Sequence, residues 1–211
     1  MKQIIFDLDG TLIMWKDEYW NTLNKTLEYF NIDYNEDIIN NLIRACDDYE
    51  SKYDTYDYDN MRLLMEEYSN IKLPNEFIKR WTIFLEDCYD APTVDLIEIL
   101  EYLSNKYDLV ILTNWFFDEQ VNRLKKMNID KYFKRVIATE KIKNKPNKEA
   151  YLEAIKPYDI SECVMIGDSI KTDIEGALSI GLDAILYDYK NKYDNLDYKK
   201  VTRLIDLKKY L

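Results

Sequence analysis

"KQIIFDLDGTLIMW", residues 2–15, sets an apolar run against a pair of like charges. Ile4–Ile5–Phe6 reads as a buried strand, and it ends in Asp7 and Asp9, one residue apart. In extended backbone, residues two apart point the same way, so both carboxylates reach one spot. Their repulsion at the edge of an interior becomes tolerable when a cation sits among them.

Further short apolar runs follow the first: Leu109–Leu112, Val136–Ala138, Val164–Ile166 and Ala184–Leu186. Helix-like stretches separate them, at Val94–Leu103, Gln120–Met127, Lys148–Ile155 and Ile174–Leu178. Strands alternating with helices predict βαβ units and a parallel sheet. Apolar runs without alternation fit strands buried on both faces, so the expected class is α/β, a doubly wound parallel sheet. Between the first strand and the second the period turns helical: Trp20, Leu23, Leu27 and Phe30; Ile38, Leu42, Ile43 and Cys46; Phe77, Trp81, Phe84 and Cys88. Pro74 is expected in the first turn of the last of these helices. Residues 14–89 thus read as a helical cap inserted into a core made of 1–13 and 90–211. Within it, "DDYESKYDTYDYDN" (47–60) reads as a solvated acidic loop or helix end.

Composition narrows the chemistry. The chain has 211 residues, 47% of them apolar and 33% charged, which suits a folded globular protein. A formal net charge of −11 argues against the basic face that nucleic acid or an anionic membrane needs. No run approaches the roughly 18 apolar residues of a membrane span, and no signal-peptide pattern opens the chain. Cys46, Cys88 and Cys163 are scattered and odd in number, as reduced thiols of a cytoplasmic protein would be. Histidine is absent, which excludes Ser-His-Asp and Cys-His catalysis and His-ligated metals.

In open α/β sheets, ligands bind outside the carboxyl ends of the strands. Those ends read Asp7–Leu8–Asp9–Gly10–Thr11, then Thr113–Asn114, then Lys143–Asn144–Lys145–Pro146, then Gly167–Asp168–Ser169 with Asp173 shortly after. Each has a plain alternative: an Asx-turn, a helix cap, a surface lysine. Their conjunction at one rim is what points to a site. Mg²⁺ takes oxygen ligands and is usually held by one or two carboxylates plus a substrate phosphate, which Asp7 and Asp168 could supply. Lys145 would offset phosphate charge, while Thr113 and the amides near Leu8, Asp9 and Asn114 could donate to its oxygens.

On these residues the chain resembles the haloacid dehalogenase superfamily, most of whose members are phosphatases. "DLDGT" (7–11), "ILTN" (111–114), "KP" (145–146) and "IGDSIKTD" (166–173) match its four motifs, and the helical insertion is similar to its C1 cap. The resemblance implies that Asp7 is the nucleophile that forms an aspartyl-phosphate, and that Asp9 is the general acid and base. It implies Mg²⁺ held by Asp7, the Asp9 main-chain carbonyl and Asp168. Thr113 and Lys145 would bind the phosphoryl group, and Asp173 would orient Lys145 or a metal-bound water. Lys143 rivals Lys145, but only Lys145 precedes the proline.

An acid at position 9 favours an alkoxide leaving group over a halide, hence phosphate ester hydrolysis. The expected partner is a small phosphorylated metabolite, either a nucleoside monophosphate stacked on Trp15 or Trp115 or a compound such as phosphoglycolate. Phosphonatase relatives use a cap lysine, for which Lys16, Lys25 and Lys52 are the candidates. Phosphosugar mutases resemble the chain but typically use a cap histidine. A phospho-accepting regulatory domain would lack both the insertion and the acid at position 9.

Overall fold

The computed structural model describes residues 1–14, 19–193 and 195–211. The described strands are β1 (Gln3–Phe6), β2 (Asp108–Thr113), β3 (Arg135–Ala138), β4 (Cys163–Gly167), β5 (Asp183–Tyr187) and β6 (Lys200–Val201). They form one sheet in the order β3-β2-β1-β4-β5-β6, with every pairing parallel. The described helices are α1 (Tyr19–Tyr29), α2 (Glu36–Lys52), α3 (Tyr58–Ser69), α4 (Phe77–Leu85), α5 (Val94–Ser104), α6 (Phe117–Lys126), α7 (Lys148–Ala154) and α8 (Gly176–Ser179).

Successive strand residues enter two different cores, which is why the strands are apolar throughout. Ile4 and Phe6 join Ile111, Val164 and Ile166 beneath Leu96, Leu100 and Leu124 of α5 and α6. Ile5 joins Val110, Leu112 and Met165 against Ala150 and Tyr151 of α7 and Ala177 of α8. Helices therefore cover both faces, giving the doubly wound sheet expected from the sequence. Each fully buried Ile, Leu or Phe contributes about 1.5–3 kcal/mol.

The order reverses at β1: the chain builds outward through β2 and β3, then returns to place β4 on the other side. The crevice at such a switch point is where ligands bind. Register puts Phe6 beside Ile166, so Asp7 and Asp168 emerge from neighbouring strands at that crevice.

Helices α1–α4 enclose a core of their own, built on Leu27, Leu42, Tyr49, Phe77 and Trp81. Asn35 caps α2 by accepting from the Ile38 amide at 3.0 Å, and Asp57 caps α3 by accepting from Asn60 at 2.9 Å. Two sheet-side residues, Trp115 and Phe116, join this helical core. Main-chain hydrogen bonds from Tyr56 to Thr139 and from Asn144 to Asp54 also tie the units together.

Three local expectations are corrected, and one strand is added. Tyr49 and Tyr56 of the acidic 47–60 stretch are buried, because α2 runs on to Lys52 and both rings enter the helical core. Pro74 lies a turn before α4, which begins at Phe77 with its amide donating to the Pro74 carbonyl. The helix expected at Ile174–Leu178 is a wide π-turn at Ile170–Glu175 followed by the short α8. The two-residue β6 carries too little pattern to be read in sequence.

Candidate active site

Asp7 leaves β1 with its amide donating to the Ile166 carbonyl at 2.8 Å, a last ladder bond that fixes it beside β4. Its carboxylate is nearly buried. Oδ1 accepts from Lys145 Nζ at 2.7 Å, and Oδ2 accepts from the Thr11 hydroxyl at 3.0 Å. Lys145 Nζ also donates to Asp173 Oδ1 at 2.6 Å, while Asp173 Oδ2 accepts from the Ser169 amide at 3.0 Å. The lysine is thus buried between two acids. Lys143 instead points outward and pairs with Asp54 at 3.1 Å.

Asn114 holds the loop that presents Lys145. Its Oδ1 accepts from the Lys145 amide at 2.8 Å, and its Nδ2 donates to the Lys145 carbonyl and to Glu50 Oε1, both at 3.0 Å. Thr113, the last residue of β2, is buried at the same edge. The Leu8 carbonyl accepts from the amides of Thr11, Leu12 and Ile13, curling the chain over Asp7. Gly10 permits this turn: its φ is +86°, and a Cβ there would lie 2.5 Å from Asp168 Oδ2.

Asp7, Asp168 and Asp173 each offer an oxygen within 4.8 Å of the others. Burial pushes all three carboxyls up, against the lowering effect of Lys145, Asp168 to about 6. Burial opposes the charge on Lys145, but Asp173 and Asp7 outweigh it and raise its value. Three carboxylates gathered around a single lysine charge form an all-oxygen, electron-rich set that fits a hard divalent cation. Asp7 and Asp173 each have both oxygens engaged within the protein, Asp7 by Lys145 and Thr11 and Asp173 by Lys145 and the Ser169 amide.

The Asp9 carboxylate lies apart from this cluster. Its Oδ1 meets Arg123 Nη2 at 2.7 Å, and its Oδ2 accepts from Gln120 Nε2 at 2.8 Å. Arg123 is fully buried on α6 and also faces Glu119 Oε1 at 3.5 Å. Burial pushes the Glu119 carboxyl up to about 8, against the lowering effect of Arg123. None of these α6 residues stood out in the sequence. The available signal was that Glu119, Gln120 and Arg123 share the helix face of Leu124, where apolar residues belong.

A cavity of about 490 Å³ opens over the site. The sheet side contributes Asp9, Asp168, Asn114 and Arg123, and the helical side Tyr19, Cys46, Asp47, Glu50 and Tyr56. Burial raises the Cys46 thiol, which therefore stays protonated and inert at neutral pH. Trp115 is only 8% exposed, with Tyr19 stacked at 6.2 Å, Tyr56 tilted against it and Trp81 meeting it edge-on. Trp15 and Lys16 lie outside the described residues, and Lys25 and Lys52 are exposed rather than desolvated. Among the described residues no helix is long and apolar enough to cross a membrane.

A family model described as haloacid dehalogenase-like hydrolase matches residues 4–187. A phosphorylated carbohydrates phosphatase of Thermotoga maritima is 25% identical over 193 residues, 88% of this chain and 84% of that protein. The pyrophosphatase PpaX of Listeria welshimeri is 29% identical over 178 residues, 82% of this chain and 76% of its own length. Among solved structures, the Bacillus subtilis HAD-hydrolase YfnB bound to magnesium superposes with a TM-score of 0.75 at 22% identity, covering 100% of this chain and 98% of that one.

Proposed function

Because the chain belongs to the haloacid dehalogenase-like hydrolases, we propose that it is a Mg²⁺-dependent phosphatase that hydrolyses a small phosphate monoester through an aspartyl-phosphate on Asp7. The observation that carries this reading is Asp7 itself: a buried carboxylate at the switch point, held at Oδ1 by Lys145 and at Oδ2 by Thr11. Those two bonds fix the plane of the carboxylate, so that one oxygen can approach phosphorus in line with the leaving group.

In the first half-reaction an Asp7 oxygen bonds to phosphorus, the bond to the ester oxygen breaks, and Asp9 gives that oxygen its proton. In the second, Asp9 takes a proton from the water that bonds to phosphorus, the Asp7 oxygen–phosphorus bond breaks to restore the Asp7 carboxylate, and inorganic phosphate leaves. Lys145 offsets the phosphoryl charge, together with the Thr113 hydroxyl and the amides of Leu8, Asp9 and Asn114. The Asn114 side chain serves the Lys145 loop instead, since its amide is spent there. Asp7, Asp168 and the Asp9 carbonyl would hold Mg²⁺, which supplies charge neutralisation to the phosphoryl oxygens. Asp173 keeps Lys145 in place. The inserted residues 14–89 act as a cap domain over the core, closing the cavity on the substrate.

For the substrate, the cavity favours a small phosphorylated polyol. The carboxylates of Asp47 and Glu50 in its wall suit hydroxyl donors better than the carboxylate of phosphoglycolate. The Thermotoga relative, named for phosphorylated carbohydrates, agrees with this. A nucleoside monophosphate finds less support, because the Trp115 ring is stacked on Tyr19. The test is phosphate release from a panel of sugar phosphates, glycerol phosphate, phosphoglycolate and nucleoside monophosphates with Mg²⁺ present. Turnover abolished by Asp7→Asn in a cooperatively melting variant supports the reading. Retention of a tenth of the activity by that variant would reject Asp7 as nucleophile.

A further inference from the structure

Both oxygens of the Asp9 carboxylate are held by side chains from outside the four motif stretches. Gln120 Nε2 donates to one at 2.8 Å, and Arg123 Nη2 pairs with the other at 2.7 Å. The two donors stand one turn apart on α6, a rigid element that begins just after the Thr113–Asn114 edge of the site. They also brace each other, since Arg123 Nη1 donates to Gln120 Oε1 at 3.3 Å.

Arg123 and Gln120 have no exposed surface, whereas Asp9 is about one-third exposed and faces the cavity. Burying a guanidinium costs several kcal/mol unless partners offset it. An apolar residue at position 123 would continue the face of Leu124 without that cost. The polar pair therefore does something that packing alone does not require. Asp9 has an open side facing the cavity, so without these partners its carboxylate would swing toward solvent. A proton-transferring group must stay within about 2.6–3.2 Å of the atom it serves.

We propose that Gln120 and Arg123 are positioning residues that hold the Asp9 carboxylate toward the leaving-group side of the cavity. The inference rests on the proposed acid–base role of Asp9. Neither residue touches the transferring phosphoryl group; both act through Asp9.

The test compares kcat/KM for p-nitrophenyl phosphate, whose leaving group needs no proton, with that for glycerol phosphate, whose leaving group does. The variants are Gln120→Met, which keeps the Arg123–Asp9 pair, and Glu119→Gln combined with Arg123→Met, which removes the buried partners together. Asp9→Asn is measured beside them. The expected result is a loss of about tenfold or more on glycerol phosphate with p-nitrophenyl phosphate within about threefold, the same pattern as Asp9→Asn on a smaller scale. Adding Gln120→Met to Asp9→Asn should then cost nothing further. Equal losses on both substrates, while Asp9→Asn still discriminates, overturn the positioning role alone. Equal losses in Asp9→Asn itself overturn the acid–base role and the positioning role with it. Arg123→Lys, which keeps the charge, should recover part of the glycerol phosphate activity.

Discussion

Gly167 and Asp173 compete for one volume: a Cβ on Gly167 would lie 2.3 Å from the Asp173 carboxyl. The bare Cα lets Asp173 tuck under the end of β4 and reach both Lys145 and the Ser169 amide. Gly167→Ala should therefore displace Asp173 and release one side of Lys145. Overpacking of this kind costs about 1–3 kcal/mol, and activity should fall more than stability. Melting curves and phosphate release on the same preparation check this, and an active Ala variant would count against it.

Removal of the metal ligands is open to a test that needs no turnover. The proposed metal site, assembled from distant strand ends, exists in the folded state only, so saturating Mg²⁺ should raise the melting temperature, by an amount equivalent to about 2.7 kcal/mol at a hundredfold excess over Kd. Asp168→Ala should abolish most of that shift. The same shift in both proteins would remove Asp168 from the metal site.

Burial, and next the charge of Asp7, pushes Asp168 up to about 6 in the metal-free protein. A carboxylate sheds its proton before it holds a metal, so Mg²⁺ affinity should rise between pH 5 and pH 7 with release of protons. Titration calorimetry in two buffers of different ionisation heat measures both quantities. A Kd that ignores pH would contradict the assignment.

Glu119 carries the opposite sign of consequence for stability. Burial pushes its carboxyl up to about 8, so the folded state keeps a proton that the unfolded chain releases near 4.5. Its contribution therefore falls as pH rises through that window. Glu119→Gln should be favoured over wild type at pH 8 relative to pH 5, by roughly 2–4 kcal/mol. Equal melting differences at both pH values would show that Glu119 ionises freely.

Trp115 packs against Tyr19, Tyr56, Trp81 and Phe116. Trp115→Ala should cost about 3–5 kcal/mol and reduce turnover of every substrate in proportion. Selective loss of nucleotide turnover would revive a stacking role for its ring.

Much of the molecule was legible in the chain itself. Apolar runs such as Ile4–Phe6 and Val164–Ile166 announce strands covered on both faces, because burial on both sides removes polar alternation. The acids, the hydroxyl and the lysine at the strand ends follow from the same reading, since the strand ends locate them. Lys145 was separable from Lys143 only by its following proline; the fold separates them by burying one and pairing the other with Asp54.

What the tertiary structure alone decided lies at long range. Asp9 and Arg123 meet across more than a hundred positions, and Glu50 meets Asn114 across sixty-four. Periodicity reports which face of a segment is buried, not against what. A buried arginine is indistinguishable in sequence from one on a solvated helix face until a partner's charge arrives from another strand. The closure of Asp173 over Gly167 likewise depends on the wide turn at Ile170–Glu175, which carries Asp173 back against the end of β4. Local chemistry thus determined the sheet and the residues at its edge, and packing between distant segments determined how those residues are held.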